Sequence, residues 1–461
     1  MAEDVLDQPE HEEEDYALDN RMVSAVRLAI AAGDSERIHE LLDPLHAADI
    51  ADMLEQLDTG SRRELLVMVP RAFDGEVLSE LDEAIREEVI AFLPHDFLAE
   101  AVRDLDSDDV VDLVEDLEEP QQAAILEALE AADRVAVEQA LSYPEFSAGR
   151  LMQREVVTAP EHWSVGDTID FLRDTKQELP DQFYHVIVVD PRLKPVGYVQ
   201  LGKLLASKRS APLVDLFEDS FRTVPVTRPE GEVAYAFNQY HLISAPVVDD
   251  EGRLVGVITI DDAMNVLDEE HEEDILRLAG VGESSLADRV IETTKQRFPW
   301  LFVNLITAIL ASLVIAQFEA TIAQFVALAV LMPIVASMGG NAGTQSLTVA
   351  VRAIATKDLT GSNVWRVVRR EALVGLVNGT IFAVIMGIVG VLWFGTPVLG
   401  LVIACAMVIN LVIAGLAGIL IPVALEKVGV DPALASGAFV TTVTDVVGFF
   451  AFLGLAGAWL L

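Results

Sequence analysis

The pattern of hydrophobic and polar positions changes twice along the chain and divides it into three regions. From about residue 20 to residue 142, apolar residues recur at spacings of three and four, as in the segment ERIHELLDPLHAADIADMLEQL. This spacing places apolar side chains on one face of a helix and predicts a series of short amphipathic helices. We expect this helical region to span residues 20–145, after an acidic tail at residues 1–19 that we interpret as disordered.

The helical region contains an internal repeat. The segment DIADMLEQLDTGSRRELL, which begins at Asp49, aligns with DVVDLVEDLEEPQQAAIL, which begins at Asp109. In this alignment the apolar residues coincide, as where Leu54 falls on Val114. Repeated helix pairs bury their apolar faces by stacking on their neighbours, so the repeat predicts a small α-solenoid.

After Gly149 the apolar residues form short β-branched runs. HVIVVD at residues 185–190 and APVVDD at residues 245–250 each precede a turn, a second apolar strand with a central glycine, and a helix. The whole pattern occurs twice, 60 residues apart. It resembles a tandem pair of CBS domains, at residues 151–208 and 213–268. The resemblance implies a regulatory module without catalytic machinery, of a kind that often binds an adenine nucleotide in the cleft between its copies.

Residues 269–297 join this pair to the rest of the chain. They begin with an acidic stretch and end with a connecting helix, SLADRVIETTKQRF, for which Ser285 is a fitting N-cap and Asp288 a fitting first-turn acid. The predicted helix leads directly into the apolar third region.

From residue 298 to residue 461 the chain reads as a membrane domain. Because a spanning helix needs about 20 apolar residues, we predict five spans, at about residues 299–318, 322–350, 372–394, 398–425 and 433–461. Basic residues precede the first span and occupy the connections after the second and fourth spans, whereas the other two connections have none. Since basic loops stay on the cytoplasmic side, we expect a bacterial cytoplasmic (inner) membrane protein with its N-terminus inside and its C-terminus outside.

Charge is distributed as unevenly as hydropathy. Before residue 297 the chain has 24 bases and 68 acids, a net charge of −44, whereas the remainder has 7 bases and 6 acids. This polyanion argues against a nucleic-acid partner, because phosphates bind basic surfaces, and it attracts cations instead. The alternative interpretation is an acidic surface that only keeps the region soluble. The single cysteine, Cys405, excludes a disulfide framework within the chain.

A carboxylate, Asp445, lies in the middle of the fifth predicted span, within AFVTTVTDVVGFFAF. A charged side chain at this depth costs roughly 3 kcal/mol unless it faces water, a partner or an ion. On a helix, Thr441 lies one turn away on the same face, and such a column of oxygens suits a hard cation. The alternative is a protonated aspartic acid that is hydrogen-bonded to a neighbouring helix.

The second predicted span contains Pro333 and the glycine-rich cluster that begins with Gly339 and Gly340. Proline and adjacent glycines break helices, and broken backbone at membrane depth is tolerated only where it is buried in protein or lines a water-filled path. We therefore expect a broken helix whose freed carbonyls, with the amide of Asn341, line a pore. The alternative, close packing of helices through small residues, explains the glycines of the third and fourth spans well but this cluster poorly.

Three strings resemble the MgtE family of magnesium channels: PIVASMGGNAGTQ in the second span, QFEA at the first external turn, and DPALASGAFVTTVTD before the last apolar run. The order of helical repeat, CBS pair, connecting helix and five spans also resembles that family. The resemblance implies a homodimer in membrane lipid, with a pore on its two-fold axis that conducts Mg²⁺.

In that family the aspartate that matches Asp445 binds the ion in the pore. Mg²⁺ gives up water reluctantly, so we expect the carboxylate to hold it through retained water. The residues that we assign to the ion pathway are Asp445, Asn341, Thr441, Pro333, Gly339 and Gly340. One departure is Gly437, where relatives can carry asparagine.

The resemblance also implies a gate that cytoplasmic Mg²⁺ closes by binding between the helical region, the CBS pair and the connecting helices. Acids from separate domains repel one another, and divalent ions bridge them. The positions that match regulatory Mg²⁺ ligands are Asp108, Asp112, Asp262, Glu270, Glu273 and Asp274. His241 and Asn265 stand where relatives can have acids, which puts some regulatory sites in doubt.

Other functions remain open at the level of sequence. One is transport of another divalent cation, such as Mn²⁺ or Co²⁺, and another is a non-conducting, CBS-linked membrane sensor, which would not need an acid inside a span. An anion or osmolyte path would favour buried Arg or Lys, and none lies inside a predicted span. The sequence has no recognisable nucleophile–base pair or phosphate-binding loop, which argues against an enzyme.

Overall fold

In this computed structural model the chain is described at residues 18, 20–115, 117, 119–129, 131–174, 179–180, 182–218, 221–281 and 290–460. It divides into two compact units, Met1–Glu269 and Glu270–Leu461. The acidic tail before residue 18 and the start of the connecting helix, with Ser285 and Asp288, lie outside the described residues.

The first unit begins with the helical region that the spacing of apolar residues predicts. Its α-helices are α1 (Asn20–Ala32), α2 (Ser35–Leu42), α3 (Ala47–Gln56), α4 (Thr59–Met68), α5 (Gly75–Ser79), α6 (Glu83–Phe92), α7 (His95–Ala101), α8 (Ser107–Glu115), α9 (Glu119–Ala128) and α10 (Ala131–Ala140), with 3-10 turns at Pro70–Ala72 and Val102–Asp104. Acidic N-caps fix helix starts, as where Asp34 accepts the Arg37 N–H at 3.1 Å.

The internal repeat corresponds to the helix pairs α3–α4 and α8–α9. The aligned residues Leu54 and Val114 are both fully buried. Arg62 donates a hydrogen bond to the Leu54 carbonyl oxygen at 2.9 Å, and Gln122, at the aligned position, donates to the Val114 carbonyl oxygen at 2.9 Å. Both pairs therefore satisfy the last turn of the first helix with a side chain of the second, as expected of a helical repeat.

The first unit continues as an α/β region. Its elements are α11 (Ala148–Leu151), β1 (Thr158–Pro160), α12 (Val165–Leu172), β2 (His185–Val189), β3 (Pro195–Gln200), α13 (Leu201–Ala206), a 3-10 turn at Leu213–Leu216, β4 (Val224–Pro225), α14 (Glu230–Tyr240), β5 (Ser244–Val248), β6 (Leu254–Thr259) and α15 (Ile260–Leu278).

The two sheets of this region are built alike. Their strand orders are β1–β2–β3 and β4–β5–β6, and in each the first two strands are parallel and the last two antiparallel. The central glycine of each last strand allows a close approach: a Cβ on Gly256 would lie 2.6 Å from the Gln153 carbonyl oxygen. The predicted duplication is confirmed.

The described part of the second unit contains the end of α15, the short helix α17 (Glu319–Gln324) and the long helices α16 (Val290–Ala316), α18 (Ala327–Ala355), α19 (Val364–Phe394), α20 (Pro397–Val428) and α21 (Pro432–Leu460). Five helices within the described residues are long and apolar enough to cross a membrane, which agrees with the five predicted spans. The described part of the connecting helix and the first span form one helix, α16, with Pro299 inside it.

The prediction of a broken helix at Pro333, Gly339 and Gly340 is wrong. Helix α18 continues through all three residues, and the interruption in this segment lies earlier, at Phe325 between α17 and α18. The small residues serve packing instead. A Cβ on Gly339 would overlap the Nδ2 atom of Asn410, and one on Gly343 would lie 2.6 Å from a Val440 methyl group. Close packing of this kind offsets the low helix propensity of glycine.

Glycines bring α19 against α20 in the same way. A Cβ on Gly375 would lie 2.6 Å from the Leu411 carbonyl oxygen and 3.0 Å from the Val412 Cα atom. A Cβ on Gly379 would lie 3.0 Å from the Val408 Cα atom. Without a hydrophobic force between helices in lipid, such backbone contact is what holds the bundle together.

We expect the Gly375→Ala substitution to destabilise the membrane unit, because overpacking of a core contact costs about 1–3 kcal/mol. The matched control is Gly454→Ala on α21, where the nearest atom to an added Cβ lies 4.0 Å away and alanine improves helix propensity by about 1 kcal/mol. Thermal unfolding of the purified protein in detergent measures both variants. Equal melting temperatures for the two variants would contradict this packing.

Candidate functional site

Asp445 lies within α21 and is partly buried. One turn earlier, the Thr441 hydroxyl donates to the Gly437 carbonyl oxygen at 3.0 Å, and the Thr444 hydroxyl donates to the Thr441 carbonyl oxygen at 3.0 Å. Both threonine hydroxyls donate their hydrogen bonds to carbonyl oxygens of their own helix. Towards other groups, their oxygens can therefore act only as hydrogen-bond acceptors. Thr444 is fully buried, whereas Thr441 and Asp445 are only partly buried. The oxygens of these last two residues are acceptors, which is the chemistry that a cation requires.

Helix α18 has a polar face that is exposed on the single chain. Its exposed polar residues are Ser337, Asn341, Thr344, Gln345 and Thr348. The Asn341 Nδ2 atom lies 3.5 Å from the Ser337 hydroxyl oxygen. The opposite face, which includes Val335 and Gly339, is buried. This arrangement is the reverse of what lipid favours, because polar groups cannot be hydrated by hydrocarbon.

The helices that carry Asn341 and Asp445 pack against each other. A Cβ on Gly343 of α18 would lie 2.6 Å from a Val440 methyl group and 3.5 Å from the Thr444 methyl group of α21. Pro333 is exposed and Gly340 has no atom within 4 Å of its Cβ position, so both belong to the open side of α18. The structure thus brings the predicted pathway residues onto two adjacent helices.

A polar residue of the membrane unit that the sequence analysis missed is Asn410 of α20. Its side chain is fully buried, and its Nδ2 atom donates to the Val335 carbonyl oxygen at 2.9 Å. The available signal was a lone amide within the apolar run AMVINLVIAG.

In the first unit, Asp108 and Asp109 of α8 lie close to Asp262 of α15. We call these three residues the 108–262 cluster. Burial, followed by the charges of Asp262 and Asp109, raises the pKa of Asp108 well above its ordinary value. Burial and the charge of Asp262 raise the pKa of Asp109 to about 7. Burial likewise raises the pKa of Asp262 to about 6.

Polar contacts join α8, which carries Asp108 and Asp109, to residues 150–155, the segment before β1. The Glu155 carboxylate accepts the Ser107 hydroxyl at 2.8 Å and the Ser107 N–H at 3.4 Å. Arg150 forms an ion pair with Glu115 at 2.5 Å. The cluster is therefore kept together by contacts around it, against desolvation and the mutual repulsion of its own charges.

Asp112 is one turn further along α8 and is placed differently. It forms an ion pair with the buried guanidinium of Arg86, although its charge also contributes to the raised pKa of Asp109. The structure therefore places Asp112 beside the 108–262 cluster, with a base already bound to it.

The second unit contains another group of acids, Glu270 and Asp274 of α15 with Asp431 between α20 and α21. We call it the 274–431 cluster. Burial, followed by the charges of Asp431 and Glu270, raises the pKa of Asp274. The sequence analysis missed Asp431, because a loop acid far along the chain gives no local signal. Glu273 is bound to Arg277 at 2.7 Å, and Arg277 also approaches Asp431 at 3.5 Å.

Neither cluster has the ligand arrangement of a complete metal site. Among the described ranges, no three His, Cys, Asp or Glu side chains come close enough to hold a metal ion. The donors are all carboxylates, which are the ligands of hard cations such as Mg²⁺, and Mg²⁺ usually keeps several waters when only one or two carboxylates bind it. The residues fit such an ion chemically. His241 and Asn265 are both exposed.

The cleft between the two CBS sheets is narrow. His185 of β2 and Ser244 of β5 face each other there, with 2.6 Å between Nδ1 and the hydroxyl oxygen. The cavity beside them has a volume of about 20 Å³, which is room for about one water molecule. This cavity is too small for an adenine nucleotide.

Comparison with known proteins gives matches along most of the chain. A family model described as the MgtE divalent cation transporter matches residues 332–455, the MgtE intracellular N domain matches residues 45–146, and the CBS domain matches residues 148–208 and 214–269. The magnesium transporter MgtE of Thermus thermophilus is 31% identical over 446 residues, which cover 95% of this chain and 98% of that protein.

The magnesium transporter MgtE of Bacillus subtilis (strain 168) is 31% identical over 321 residues, 69% of this chain and 71% of that protein. Among solved structures, the cytosolic domain of the Mg²⁺ channel MgtE in complex with ATP is 29% identical, with a TM-score of 0.49, and the match covers 53% of this chain and 99% of that one.

The raised pKa values predict a pH dependence for the docking of α8. Asp109 and Asp262 titrate near pH 7 and 6 in the folded chain and near pH 3.9 in an unfolded one. The folded chain therefore binds more protons between these values, and its stability falls as the pH rises through 6 and 7. Without divalent ions, we expect α8 to exchange its amide hydrogens faster at pH 8 than at pH 6, after correction for the intrinsic chemical rate.

The control is the Asp109→Asn variant, in which this pH difference should shrink. Helix α2, which lies outside the 108–262 cluster, serves as an internal reference. Corrected exchange of α8 that does not depend on pH would show that the acids are not held together in solution.

Proposed function

The chain belongs to the MgtE family of divalent cation transporters, and from this premise we propose that it is a homodimeric Mg²⁺ channel of the bacterial cytoplasmic membrane that admits Mg²⁺ and is closed by Mg²⁺ inside the cell. The observation that carries the proposal is the carboxylate of Asp445 within α21, which packs against Gly343 of α18, the helix that carries the exposed polar face. A carboxylate in a membrane span is costly unless it faces water or an ion.

The chemistry of the pathway favours a divalent cation. Asp445 supplies the negative charge, Thr441 supplies a neutral oxygen on the same helix, and Asn341 supplies another on the adjacent helix α18. A single carboxylate cannot replace the whole hydration shell of Mg²⁺, so the ion passes Asp445 with most of its water retained. The polar side chains of α18 then hydrogen-bond to that water.

The exposed polar face of α18 supports a shared pore. In a single chain, Ser337, Asn341 and Thr344 would face lipid, which cannot hydrate their polar groups. A second copy related by two-fold symmetry would place the same face opposite itself and enclose a polar path between the two chains. Dimerisation would therefore remove the polar face of α18 from lipid, and the same contact would form the pathway.

The two acidic clusters support gating by the transported ion. Each cluster gathers carboxylates whose pKa is raised by burial and by neighbouring charges, so each disfavours its own compact arrangement at neutral pH. A divalent cation removes this repulsion and favours compaction. Since ion binding and closure are linked, a state that binds the ion more tightly becomes more populated as cytoplasmic Mg²⁺ rises.

The basic residues that flank the predicted spans favour a cytoplasmic N-terminal region and an external C-terminus. Both acidic clusters would then sample the concentration of Mg²⁺ that has already entered the cell. An adenine nucleotide in the CBS cleft is a further proposed ligand, and its binding would have to separate His185 from Ser244.

We expect Asp445→Ala to reduce Mg²⁺ uptake to the background of empty vesicles, because the pathway loses the carboxylate that attracts the ion into the span. The matched control is Asp358→Ala, which removes an exposed carboxylate from the loop between α18 and α19 and should leave uptake unchanged. Uptake is measured with a Mg²⁺-sensitive dye inside proteoliposomes, and Mn²⁺, Co²⁺ and Ca²⁺ are compared in the same assay. Wild-type uptake by a folded Asp445→Ala variant would remove Asp445 from the pathway.

The shared pore predicts that transport-competent protein is a dimer. Native mass spectrometry of the detergent-solubilised protein should give a mass of about twice 50.0 kDa. A monomeric mass in a preparation that still conducts after reconstitution would refute the shared pore.

The gate predicts that removal of the bridging acids favours the open state. We expect a variant with four acids changed to alanine to remain open at Mg²⁺ concentrations of about 10⁻⁴–10⁻³ M, the range expected of weak carboxylate sites by analogy with Ca²⁺. The four acids are Asp262, Glu270, Glu273 and Asp274. Patch-clamp recording measures closure, and limited proteolysis with and without Mg²⁺ measures compaction.

A control variant removes the same number of charges from exposed acids outside both clusters: Glu64, Asp133, Glu161 and Asp215. It should close at the wild-type Mg²⁺ concentration. If both four-residue variants close like the wild type and Mg²⁺ gives no protection from proteolysis, the acids are ordinary surface and the gate is elsewhere.

A further inference from the structure

Asn410 is a buried amide in the middle of α20. Its side chain is 0% exposed, and its Nδ2 atom donates to the Val335 carbonyl oxygen of α18 at 2.9 Å. Its Oδ1 atom is buried too and has no hydrogen-bond partner among the described residues. A buried amide with an unsatisfied oxygen is costly, and leucine has the same branched side-chain skeleton without that cost. Packing alone therefore does not explain why position 410 is an asparagine.

Two glycines from two other helices make room for the Asn410 amide. A Cβ on Gly339 of α18 would overlap its Nδ2 atom, and a Cβ on Gly448 of α21 would lie 2.7 Å from the same atom. The amide thus occupies the space that side chains at both positions would need. It contacts the backbone of α18 and the backbone of α21 at once.

The two contacted positions adjoin the ion pathway. Gly448 follows Asp445 by three residues on α21, and Gly339 precedes Asn341 by two residues on α18. A helix is stiff over less than one turn, so any rotation or sliding of α21 at Gly448 moves Asp445 with it.

The neighbouring contact between α18 and α21, Gly343 against Val440, is apolar. Small apolar surfaces can slide along each other at little cost, whereas a hydrogen bond is directional. The bond from Asn410 to Val335 joins α20 to α18 with a directional contact, and Gly448 packs α21 closely against the same amide. Asn410 therefore links the position of α21 to that of α18.

We propose that Asn410 is a positioning residue for conduction: its amide, held between Gly339 and Gly448, fixes the register of α21 against α18 and thereby places Asp445 relative to the polar face of α18. This inference rests on the proposed function. When the register is loosened, Asp445 binds the incoming ion more weakly and distinguishes Mg²⁺ less well from the larger Ca²⁺. The maximal flux is affected less than the Mg²⁺ concentration at half saturation.

The test compares full-length wild type with Asn410→Leu and Gly448→Ala in proteoliposomes that report Mg²⁺ and Ca²⁺ uptake. Asn410→Leu removes the amide but keeps the branched side-chain skeleton, and Gly448→Ala keeps the amide but pushes α21 away from it. Both variants should raise the half-saturating Mg²⁺ concentration about tenfold, equivalent to about 1.4 kcal/mol of binding free energy, and both should lower the ratio of Mg²⁺ to Ca²⁺ uptake.

Two controls separate positioning from general stability. Ser346→Ala removes another buried interhelical bond, the one from the Ser346 hydroxyl to Glu371 at 3.0 Å. Gly457→Ala adds a methyl group to α21 at ordinary contact distance, with its nearest atom at 3.6 Å. Both controls should keep the wild-type half-saturation and ion preference, even where Ser346→Ala lowers the melting temperature.

If Asn410→Leu does not fold, the half-saturation and ion preference of Gly448→Ala alone test the positioning role of Asn410. Folded variants of either kind with wild-type half-saturation and wild-type ion preference would overturn the inference while leaving the proposed function intact. If the wild type itself transports no divalent cation in this assay, the proposed function is wrong, whatever the variants show. The register is then read from an experimental structure of Asn410→Leu or Gly448→Ala, where an unshifted α21 would overturn the positioning role.

Discussion

Hydrocarbon cannot hydrate a polar group, so every polar side chain within the spans needs a partner in the protein or a place in a water-filled path. In the membrane unit several of them have such partners. Ser346 donates to the buried carboxylate of Glu371, Asn410 donates to the Val335 carbonyl oxygen, and the Thr441 hydroxyl donates to its own helix. The carboxylate of Asp445 and the exposed polar face of α18, on an adjoining helix, fit the second solution, a water-filled path. The pathway follows from these two features together.

In the acidic region the constraint is repulsion between charges. The carboxylates are hydrated when they are apart, and they repel one another when they are brought together. The structure nevertheless gathers Asp108, Asp109 and Asp262, and their raised pKa values express what that costs at neutral pH. Asp274 is in the same situation beside Asp431. In the proposed function, a bound divalent cation removes this repulsion, and its concentration then sets how often the compact arrangement is populated. The ion that the pore conducts would in this way control the pore.

The features predicted well from sequence depend on local patterns. The repeat that aligns Leu54 with Val114, the duplicated strands and the five spans are all set by the spacing of apolar residues over short stretches. The failures depend on partners distant in sequence. Pro333 and Gly339 signal a broken helix by their own propensities, but Asn410, 71 residues beyond Gly339, fits against that glycine and shows the continuous α18 to be a packing surface. The roles of Asp431 and of the Arg86–Asp112 ion pair are invisible for the same reason, because each is created by tertiary contact.

The central claim, that two chains share one pathway lined by Asp445, is tested most directly by single-channel recording of mixed dimers. Wild-type and Asp445→Asn chains with different affinity tags are produced together, and the doubly tagged dimers are purified and reconstituted. If the pore is shared, these dimers must show one new Mg²⁺ conductance, different from that of either parent, because each pore contains one carboxylate instead of two. If each chain has its own path, the recordings will show wild-type openings beside silent subunits, and that result would contradict the account.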